Sequence, residues 1–325
     1  MNIRSCCLML LIVLIVPACV PAPTPTRKDW MYSDIMVGFI QAGSEGEWRT
    51  ANTASFKETA QQLGITLNFY DAQFKPENQT AAFRDFTQDP DVNVIVLAAL
   101  KPTGWDELMK QAQAAGKVVI LEDQPIDAPE DLYATYVGSD FVEEGCRAAI
   151  EMCNLLEGSE KKNVWELAGS AEGSDAYKAN ERSQGFREKI GECGITITQS
   201  PIANDEDPAG KTIMEAYLKK DTNIQGLFTQ SSDMALAAIQ VIKTAGLRPG
   251  IDIKIVTIDA TPVVFNAMLA GELNVSVEYN PLLAPQVYEA AFRALNGETL
   301  PKWIHSQEGF FYPDGVKRIL DHSHP

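Results

Sequence analysis

The chain has 325 residues, and 45% of them are hydrophobic, so it is long enough to bury the cores of two domains. It carries 44 Asp and Glu residues against 27 Lys and Arg residues, which gives a formal net charge of -17. This negative charge argues against nucleic acid and against anionic membrane surfaces as binding partners.

The N-terminus has the features of an export leader. Arg4 provides a short basic region, and the apolar run that follows it is too short to span a bilayer. The run ends at Val16-Pro17-Ala18-Cys19, which resembles a bacterial lipobox, so we predict a signal peptide over 1–19 and a lipid on the cysteine. The Pro- and Thr-rich stretch within 20–33 is then a linker. The alternative is an ordinary secretory signal cleaved near Ala22, and in both cases the mature chain is exported to the periplasm or the cell surface.

Apolar runs alternate with helical patterns along the first half of the chain. Strands are predicted at 35–40, 66–72, 92–100, 117–121 and 133–139, and helices at 48–63, 76–86 and 105–116. Such alternation is typical of right-handed βαβ crossovers and a parallel sheet.

The same alternation then starts again. Strands are predicted at 163–167, 195–198, 224–228, 253–258 and 275–277, and helices at 142–156, 176–193, 210–219, 232–246, 263–269 and 282–295. The two halves share one architecture without an obvious sequence repeat, which indicates two similar doubly wound lobes.

The first predicted βα turn carries a carboxylate, an indole and a guanidinium, from Glu45, Trp48 and Arg49. Ligands of open α/β sheets bind outside the carboxyl ends of the strands, where such turns lie. These side chains suit a polyhydroxylated ligand better than a phosphate, and Gly43 and Gly46 lack the spacing of a dinucleotide site. The alternative is that Trp48 is a core or rim aromatic and that Glu45 and Arg49 are solvated turn charges.

Polar residues also follow other predicted strands, at turns that two similar lobes would bring to the crevice between them. They are Asp123 and Gln124, Ser231 and Asp233, and Asp259. Asp259 ends a buried strand, where an unpaired charge is hard to explain structurally, so a ligand-binding role is favoured. For Asp233 the two alternatives are a ligand contact and a helix N-cap.

Three cysteines lie outside the leader: Cys146, Cys153 and Cys193. Cys153 and Cys193 each lie near the end of a predicted helix, and these helices are consecutive around one strand, so their ends could lie side by side. We therefore predict a disulfide between them, which an exported protein can keep. The absence of a C-x-x-C spacing disfavours a zinc site, and we predict neither a metal nor a cofactor.

Several separated stretches occur in an order that points to one known family. They are Trp48-Arg49-Thr50-Ala51-Asn52-Thr53 after a Glu-Gly turn, Val137-Gly138-Ser139-Asp140-Phe141-Val142-Glu143-Glu144-Gly145, Gly250-Ile251-Asp252-Ile253 running into Thr257-Ile258-Asp259-Ala260, and Glu278-Tyr279-Asn280-Pro281-Leu282-Leu283. Together they resemble the sugar-binding proteins of bacterial ABC importers, within the type I periplasmic-binding-protein superfamily, and are most similar to its galactofuranose-binding group. The similarity extends from about residue 35 to about residue 311.

The resemblance implies an α/β fold with two doubly wound parallel-sheet lobes joined by three crossover strands. On this basis we assign 34–137 plus 260–279 to the N-terminal lobe and 138–259 plus 280–325 to the C-terminal lobe. The sugar is expected between the lobes, which close on it.

The resemblance also implies a ligand set. By position it consists of Glu45, Trp48, Arg49, Asp123, Arg182, Asp259 and Glu278. Carboxylates accept hydrogen bonds from adjacent hydroxyls, arginine donates a bidentate pair, and an indole offers a flat apolar face to a sugar ring. Without the resemblance, Arg182 belongs to a solvated helix face. A hydrogen bond at a crossover explains Glu278 equally well.

Two sites depart from the family pattern. Gln124 stands where the related proteins tend to have an arginine, and Ser231 and Ser232 stand where they tend to have an asparagine and an acidic residue. These changes alter which hydroxyls are recognised, since polar groups that are left unpaired reject the wrong analogue. The ligand is therefore expected to be galactofuranose or another aldose.

The leading hypothesis is a monomeric, lipid-anchored receptor, not an enzyme, that delivers a monosaccharide to an ABC permease, with the ATPase an indirect partner. One alternative is a sensor that presents its closed form to a chemoreceptor or a histidine kinase. An exported glycosidase is disfavoured, because the flanking arginines would lower rather than raise the pKa of its carboxyl groups. A transcription repressor is disfavoured as well, since the N-terminus is an export leader and no basic helix-turn-helix precedes Ile35.

Overall fold

The computed structural model describes residues 29–44, 46–169, 175–199 and 209–323. The predicted leader with Cys19, and the linker up to residue 28, lie outside this part of the chain. Among the described residues, no helix has both the length and the apolar character that crossing a membrane requires.

Strands and helices alternate along the described chain. The first half contains β1 (Met36–Gln41), α1 (Glu47–Leu63), β2 (Thr66–Asp71), α2 (Pro76–Gln88), β3 (Val94–Leu97), α3 (Asp106–Ala114), β4 (Val118–Glu122), β5 (Thr135–Gly138), α4 (Phe141–Leu155) and β6 (Asn163–Leu167). The second half contains α5 (Asp175–Ile190), β7 (Thr196–Gln199), α6 (Ala209–Lys220), β8 (Gly226–Thr229), α7 (Ser232–Thr244), β9 (Lys254–Ile258), α8 (Pro262–Leu269), β10 (Val275–Val277), α9 (Ala284–Leu295), β11 (Trp303–His305), β12 (Phe310–Phe311) and α10 (Pro313–Ser323).

The strands form two six-stranded sheets, with the orders β11-β5-β4-β3-β1-β2 and β12-β10-β9-β8-β6-β7. Neighbouring strands are parallel, except that β12 runs antiparallel to β10. The described chain passes from one sheet to the other after β5, after β10 and after β11. These passages confirm two parallel-sheet lobes joined by three crossover strands.

The lobe boundaries differ from the predicted ones in the last quarter of the chain. Residues 260–279 were assigned to the first lobe, but β10 pairs with β9, and α8 packs against α10 in the second lobe. The segment 280–325 was assigned whole to the second lobe, but α9 packs on α1 and β11 pairs with β5 in the first. The second crossover therefore follows β10 rather than preceding α8. Hydrophobic pattern identifies a strand but not the strand with which it pairs.

Each sheet has an apolar core on both faces. In the first lobe, one face packs on α1 and α9, where the Tyr288 hydroxyl donates to the Phe56 carbonyl at 2.9 Å. The other face packs on α2 and α3. In the second lobe, α4 and α5 cover one face, and α6, α7 and α8 cover the other. Trp48 packs against cores of both lobes, so the start of α1 lies at their junction.

Helices α4 and α5 pack unusually closely in the middle and are linked near their far ends. A methyl group on Gly145 would overlap the backbone carbonyl of Arg182, and one on Gly185 would overlap the carbonyl of Val142. Beyond these contacts, a disulfide joins Cys153 to Cys193, with the Cα atoms 6.1 Å apart. This pairing is the one that the positions of the helix ends predicted.

The disulfide is expected to stabilise the second lobe against unfolding. It closes a loop between residues 40 apart in sequence, and removing such a bond costs about 2–4 kcal/mol because the unfolded chain gains conformational freedom. The double variant C153S/C193S should therefore unfold at a lower urea concentration than the parent protein. The variant C146S, which removes a thiol that is not disulfide-bonded, is the control, and equal midpoints for all three proteins would contradict the expectation.

Candidate ligand-binding site

The two lobes present equivalent aspartates at the ends of their strands. Asp123 follows β4 with a φ of 69°, and Asp259 follows β9 with a φ of 83°. Each backbone N–H donates to the next strand at 3.1 Å, Asp123 to the Val137 carbonyl and Asp259 to the Val277 carbonyl. A residue other than glycine is strained in this left-handed region, and such strain is concentrated at functional sites.

Asp123 is bonded across the junction between the lobes. The Tyr279 hydroxyl donates to its Oδ1, and Nζ of Lys178 donates to its Oδ2 at 2.6 Å and to the Tyr279 hydroxyl at 2.7 Å. Burial and the Asp123 charge raise the pKa of Tyr279, so its hydroxyl remains a donor. Lys178 lies on α5 of the second lobe, and Tyr279 follows β10. Neither residue was predicted to be part of the site.

Arg182 and Glu144 form a buried ion pair between α5 and α4. Nε of Arg182 donates to Oε2 of Glu144 at 2.7 Å, and Nη1 donates to the Gln230 carbonyl at 3.2 Å. The guanidinium also lies over the rings of Phe141 and Tyr279, at 5.3 and 4.8 Å from their centroids. Burial raises the pKa of Glu144 to about 8, although Arg182 lowers it. The structure thus places Arg182 inside the junction and not on a solvated helix face.

Asp259 lies at the N-terminus of α7. Its Oδ2 accepts a hydrogen bond from the Ser232 N–H at 3.2 Å. Burial raises the pKa of Asp259, and the Arg182 charge lowers it. Ser231 is the N-cap of α7, where its hydroxyl accepts from the Met234 N–H, whereas Asp233 is exposed in the first turn. The N-cap alternative for Asp233 was therefore wrong, since a serine two residues earlier has that role.

Trp48 and Arg49 lie at the start of α1, beside the junction. Nε1 of Trp48 donates to the Tyr279 carbonyl at 3.0 Å, and the two rings stack with centroids 4.4 Å apart. Arg49 is partly exposed and lies over the Phe74 ring, 5.0 Å from its centroid. The Trp48 side chain therefore lies between the two lobes and packs against both. Glu45, the acid of this predicted turn, lies outside the described residues.

Glu122, the last residue of β4, has a buried carboxyl group next to Asp123. Burial and the Asp123 charge raise its pKa well above the ordinary value, and the Lys178 and Arg49 charges oppose that rise. Glu122 was not predicted as a site residue. Its position at the carboxyl end of a buried strand was the available signal.

Two predicted site residues, Gln124 and Glu278, form hydrogen bonds to backbone groups. Nε2 of Gln124 donates to the Ala99 carbonyl, so its amide holds the end of β3 in place. Oε2 of Glu278 accepts from the Gly309 N–H at 2.9 Å. For Glu278 this is the crossover hydrogen bond that the sequence left open as an alternative to ligand binding.

One carboxylate at the crossovers contacts all three connections between the lobes. Oε1 of Glu308 accepts from the Ser139 hydroxyl, from the Ser306 hydroxyl at 2.6 Å and from the Asn280 N–H at 3.3 Å. Ser139 follows β5, Asn280 follows β10, and Ser306 follows β11. Burial raises the pKa of Glu308, while its two serine hydrogen bonds lower it.

Several buried polar atoms at the junction have no hydrogen-bond partner among the described residues: Glu122 Oε1 and Oε2, Glu144 Oε1 and Arg182 Nη2. Burying such atoms unpaired is costly. Hydroxyl groups both donate and accept, so a polyhydroxylated solute can pair with all of them. In the same part of the chain, no group of three or more His, Cys, Asp and Glu side chains could hold a metal ion. The arrangement therefore suits the noncovalent binding of a polar solute.

The fold and this arrangement together define a class of protein: a two-lobed α/β protein with a cluster of buried polar side chains at the junction of its lobes. Residues 37–299 match the family described as the periplasmic binding protein domain. The chain belongs to this family, and its lobes have the type I periplasmic-binding-protein fold. The resemblance and the fold class predicted from the sequence are confirmed.

Three known proteins are similar to this chain over nearly its whole length. The galactofuranose-binding protein YtfQ of Escherichia coli (strain K12) is 36% identical over 293 residues, which cover 88% of this chain and 91% of that protein. A Mycobacterium smegmatis protein, solved in complex with β-D-fucofuranose, is 36% identical with a TM-score of 0.79, over 89% of this chain and 95% of that one. The periplasmic binding protein component of the arabinose ABC transporter from Shewanella sp. ANA-3, bound to α- and β-L-arabinofuranose, is 33% identical with a TM-score of 0.79, over 89% and 95%.

Proposed function

We propose that this protein is the solute-binding component of an ABC sugar importer and binds a monosaccharide between its lobes. Its partner in the membrane is then a permease, to which it delivers the sugar as a monomer and without chemical change. The Val16-Pro17-Ala18-Cys19 motif supports a lipid anchor on Cys19 and therefore a position at the outer face of a membrane.

The proposal rests above all on the unpaired donor and acceptor atoms of Arg182 and Glu144 at the junction. The two side chains are bonded to each other through one edge, which leaves Nη2 and Oε1 available. A sugar hydroxyl can accept from the first atom and pair with the second. Because Arg182 is fixed by Glu144 and Gln230, its guanidinium is already oriented, and little rotamer entropy is lost on binding.

We propose a furanose as the ligand, either galactofuranose or another aldose in its five-membered-ring form. The three similar proteins described above are named for a furanose or were solved with one. Gln124 and Ser231 are the positions where this chain departs from the pattern of the galactofuranose-binding group. If the sugar found by screening is not galactofuranose, these positions would account for the difference.

A thermal-shift screen of aldoses tests the proposal. We expect one sugar to raise the melting temperature of the protein in a concentration-dependent way. A ligand at 100 times its Kd stabilises the folded state by about 2.7 kcal/mol. The variant D259N should lose most of this shift, because the carboxylate becomes an amide while an oxygen remains to accept from Ser232. Isothermal calorimetry on the two proteins measures the same loss as a change in affinity.

The matched control is D252N, which removes a partly exposed charge of the same lobe that pairs with Arg248. It should keep the full ligand-dependent shift. If no monosaccharide or disaccharide stabilises the parent protein, the proposed function is wrong. If D259N and D252N respond equally to the sugar, Asp259 is not a ligand contact.

A further inference from the structure

Lys178 connects the two lobes through the Asp123 carboxylate. It lies on α5 of the second lobe, whereas Asp123 follows β4 of the first lobe. Their Nζ and Oδ2 atoms are 2.6 Å apart, and the Tyr279 hydroxyl bonds to both residues. Tyr279 belongs to the crossover after β10, so the contact unites both lobes and one of their connections.

The surroundings of this pair are dry and aromatic. The Lys178 and Asp123 side chains are 6% and 9% exposed. The ammonium lies 5.6 Å from the Trp48 ring centroid, 5.8 Å from that of Phe141 and 5.2 Å from that of Tyr279. Aromatic faces attract a cation, and the attraction is greater where water is excluded. Removing one partner of a buried pair leaves the other charge uncompensated, which is strongly unfavourable.

An ion pair whose partners belong to different lobes exists only while the lobes are together. Closing removes water from both charges, which is costly, but the Tyr279 hydrogen bonds and the three aromatic faces around the ammonium offset that cost. The pair then favours the closed form over the open form whether or not a solute is bound. The other buried ion pair of the junction, Arg182 with Glu144, lies within the second lobe and gives no such preference. The Lys178–Asp123 pair differs from it because its two partners belong to different lobes.

We propose that Lys178 is a closure residue that holds the cleft shut through Asp123 and makes the closed form the major form of the sugar-free protein. In the sugar-free protein Asp123 is then the partner of Lys178 and Tyr279, while Arg182 and Asp259 keep their own contacts in the second lobe. Closure itself does not rest on the proposed function.

Closure before binding has a kinetic consequence. A solute enters only the open form, so the observed association rate constant is reduced in proportion to the fraction of protein that is open. Removing the Lys178 charge should raise the association rate constant by about tenfold if the closed form exceeds the open form by that ratio.

The test compares sugar-free proteins by small-angle X-ray scattering. K178M keeps the apolar stem of the side chain and removes the ammonium, and we expect its radius of gyration to be larger than that of the parent. K189M is the matched control on the same helix, since Lys189 pairs with Glu192 within the second lobe and is exposed. It should scatter like the parent. Circular dichroism melting curves establish that each variant is folded.

The variant D123N tests whether Lys178 acts through its contact with Asp123. It should also increase the radius of gyration of the sugar-free protein. The double variant K178M/D123N should show no further increase, because both substitutions break the same contact. If K178M does not fold, D123N alone gives the same comparison with the parent. Scattering from K178M and D123N that equals the parent's overturns the proposal.

Binding kinetics give the second readout and separate this proposal from the sugar assignment. Faster association of an identified sugar with K178M supports closure by Lys178. Weaker binding with unchanged sugar-free scattering would show that Lys178 is a ligand contact, and the proposal would be wrong. Because scattering needs no ligand, a failed sugar screen leaves the test of closure intact.

Discussion

The substitution Gly185→Ala is expected to destabilise the protein by about 3 kcal/mol or more, because an added methyl group overpacks a close helix contact. The methyl carbon would overlap the Val142 carbonyl and approach the Cys146 backbone nitrogen. Both are backbone atoms of α4, so no side-chain rotation relieves the overlap and the helices must separate. The measurement is the free energy of unfolding in urea.

The same substitution should abolish solute binding. Gly185 lies one turn after Arg182 on α5, and Val142 lies close to Glu144 on α4. Separating the helices lengthens the 2.7 Å contact between Arg182 and Glu144, which disorders the guanidinium. Direct N–H···O hydrogen bonds are found at donor–acceptor distances of about 2.7–3.2 Å, so a separation of more than about half an ångström breaks this contact.

Gly191→Ala is the matched control for this prediction. Gly191 follows α5, and a methyl group there would have nothing within 4 Å. The free energy of unfolding of this variant should differ from that of the parent by no more than about 0.5 kcal/mol, as is usual for surface substitutions. Equal stability of the two alanine variants would contradict the close packing of α4 on α5.

Arg182→Met is expected to remove detectable sugar binding and to destabilise the fold by about 3–5 kcal/mol, the usual cost of breaking a buried ion pair. The Arg182 and Glu144 side chains are 8% and 0% exposed, so the Glu144 carboxyl group would stay buried without its partner and would have to take up a proton. Urea unfolding measures the stability, and calorimetry with the sugar found in the screen measures the binding.

The cost of Arg182→Met should depend on pH. Burial already raises the pKa of Glu144 from 4.5 to about 8 with Arg182 present, and loss of the guanidinium raises it further. The folded variant then holds a proton that the unfolded chain releases above its own pKa. The parent protein has the same dependence up to a pH of about 8, so the two stabilities fall together in that range. The extra cost of the variant grows only above about pH 8, where the folded parent releases the Glu144 proton and the folded variant still holds it.

Arg187→Met is the control for an arginine of the same helix outside the junction. Arg187 pairs with Glu166 but is itself 39% exposed. Its loss should affect stability and leave sugar binding intact. Retained sugar binding by Arg182→Met would contradict the ligand site proposed here.

Much of the fold follows from local pattern. The buried run of β3 and the amphipathic face of α2 are visible in the sequence because strands and helices place apolar residues at different periods. The strands β11 and β12 were not predicted, since three and two partly exposed residues are too few to show a period. The lobe boundaries near the C-terminus were wrong for another reason, since β10 was predicted as a strand but its pairing with β9 is not visible in the hydrophobic pattern.

The structure brings Asp123, Asp259 and Arg182 to the junction between the lobes. The sequence pointed to the two aspartates because they follow buried strands, and to Arg182 through the family resemblance alone. Lys178 was missed because a charged helix face packed against another lobe has the same sequence pattern as one packed against water. Glu308 was missed for a related reason: its partners come from segments that are far apart in sequence.

The carboxylate of Glu308 has a consequence for how the lobes can move. Connections that bend independently allow two bodies to tilt in several directions. Here the residues that bond to one side chain come from all three connections, Ser139, Asn280 and Ser306, so a torsion change in one is transmitted to the others. We expect relative motion of the lobes to have essentially one degree of freedom, a rotation about an axis that passes close to Glu308.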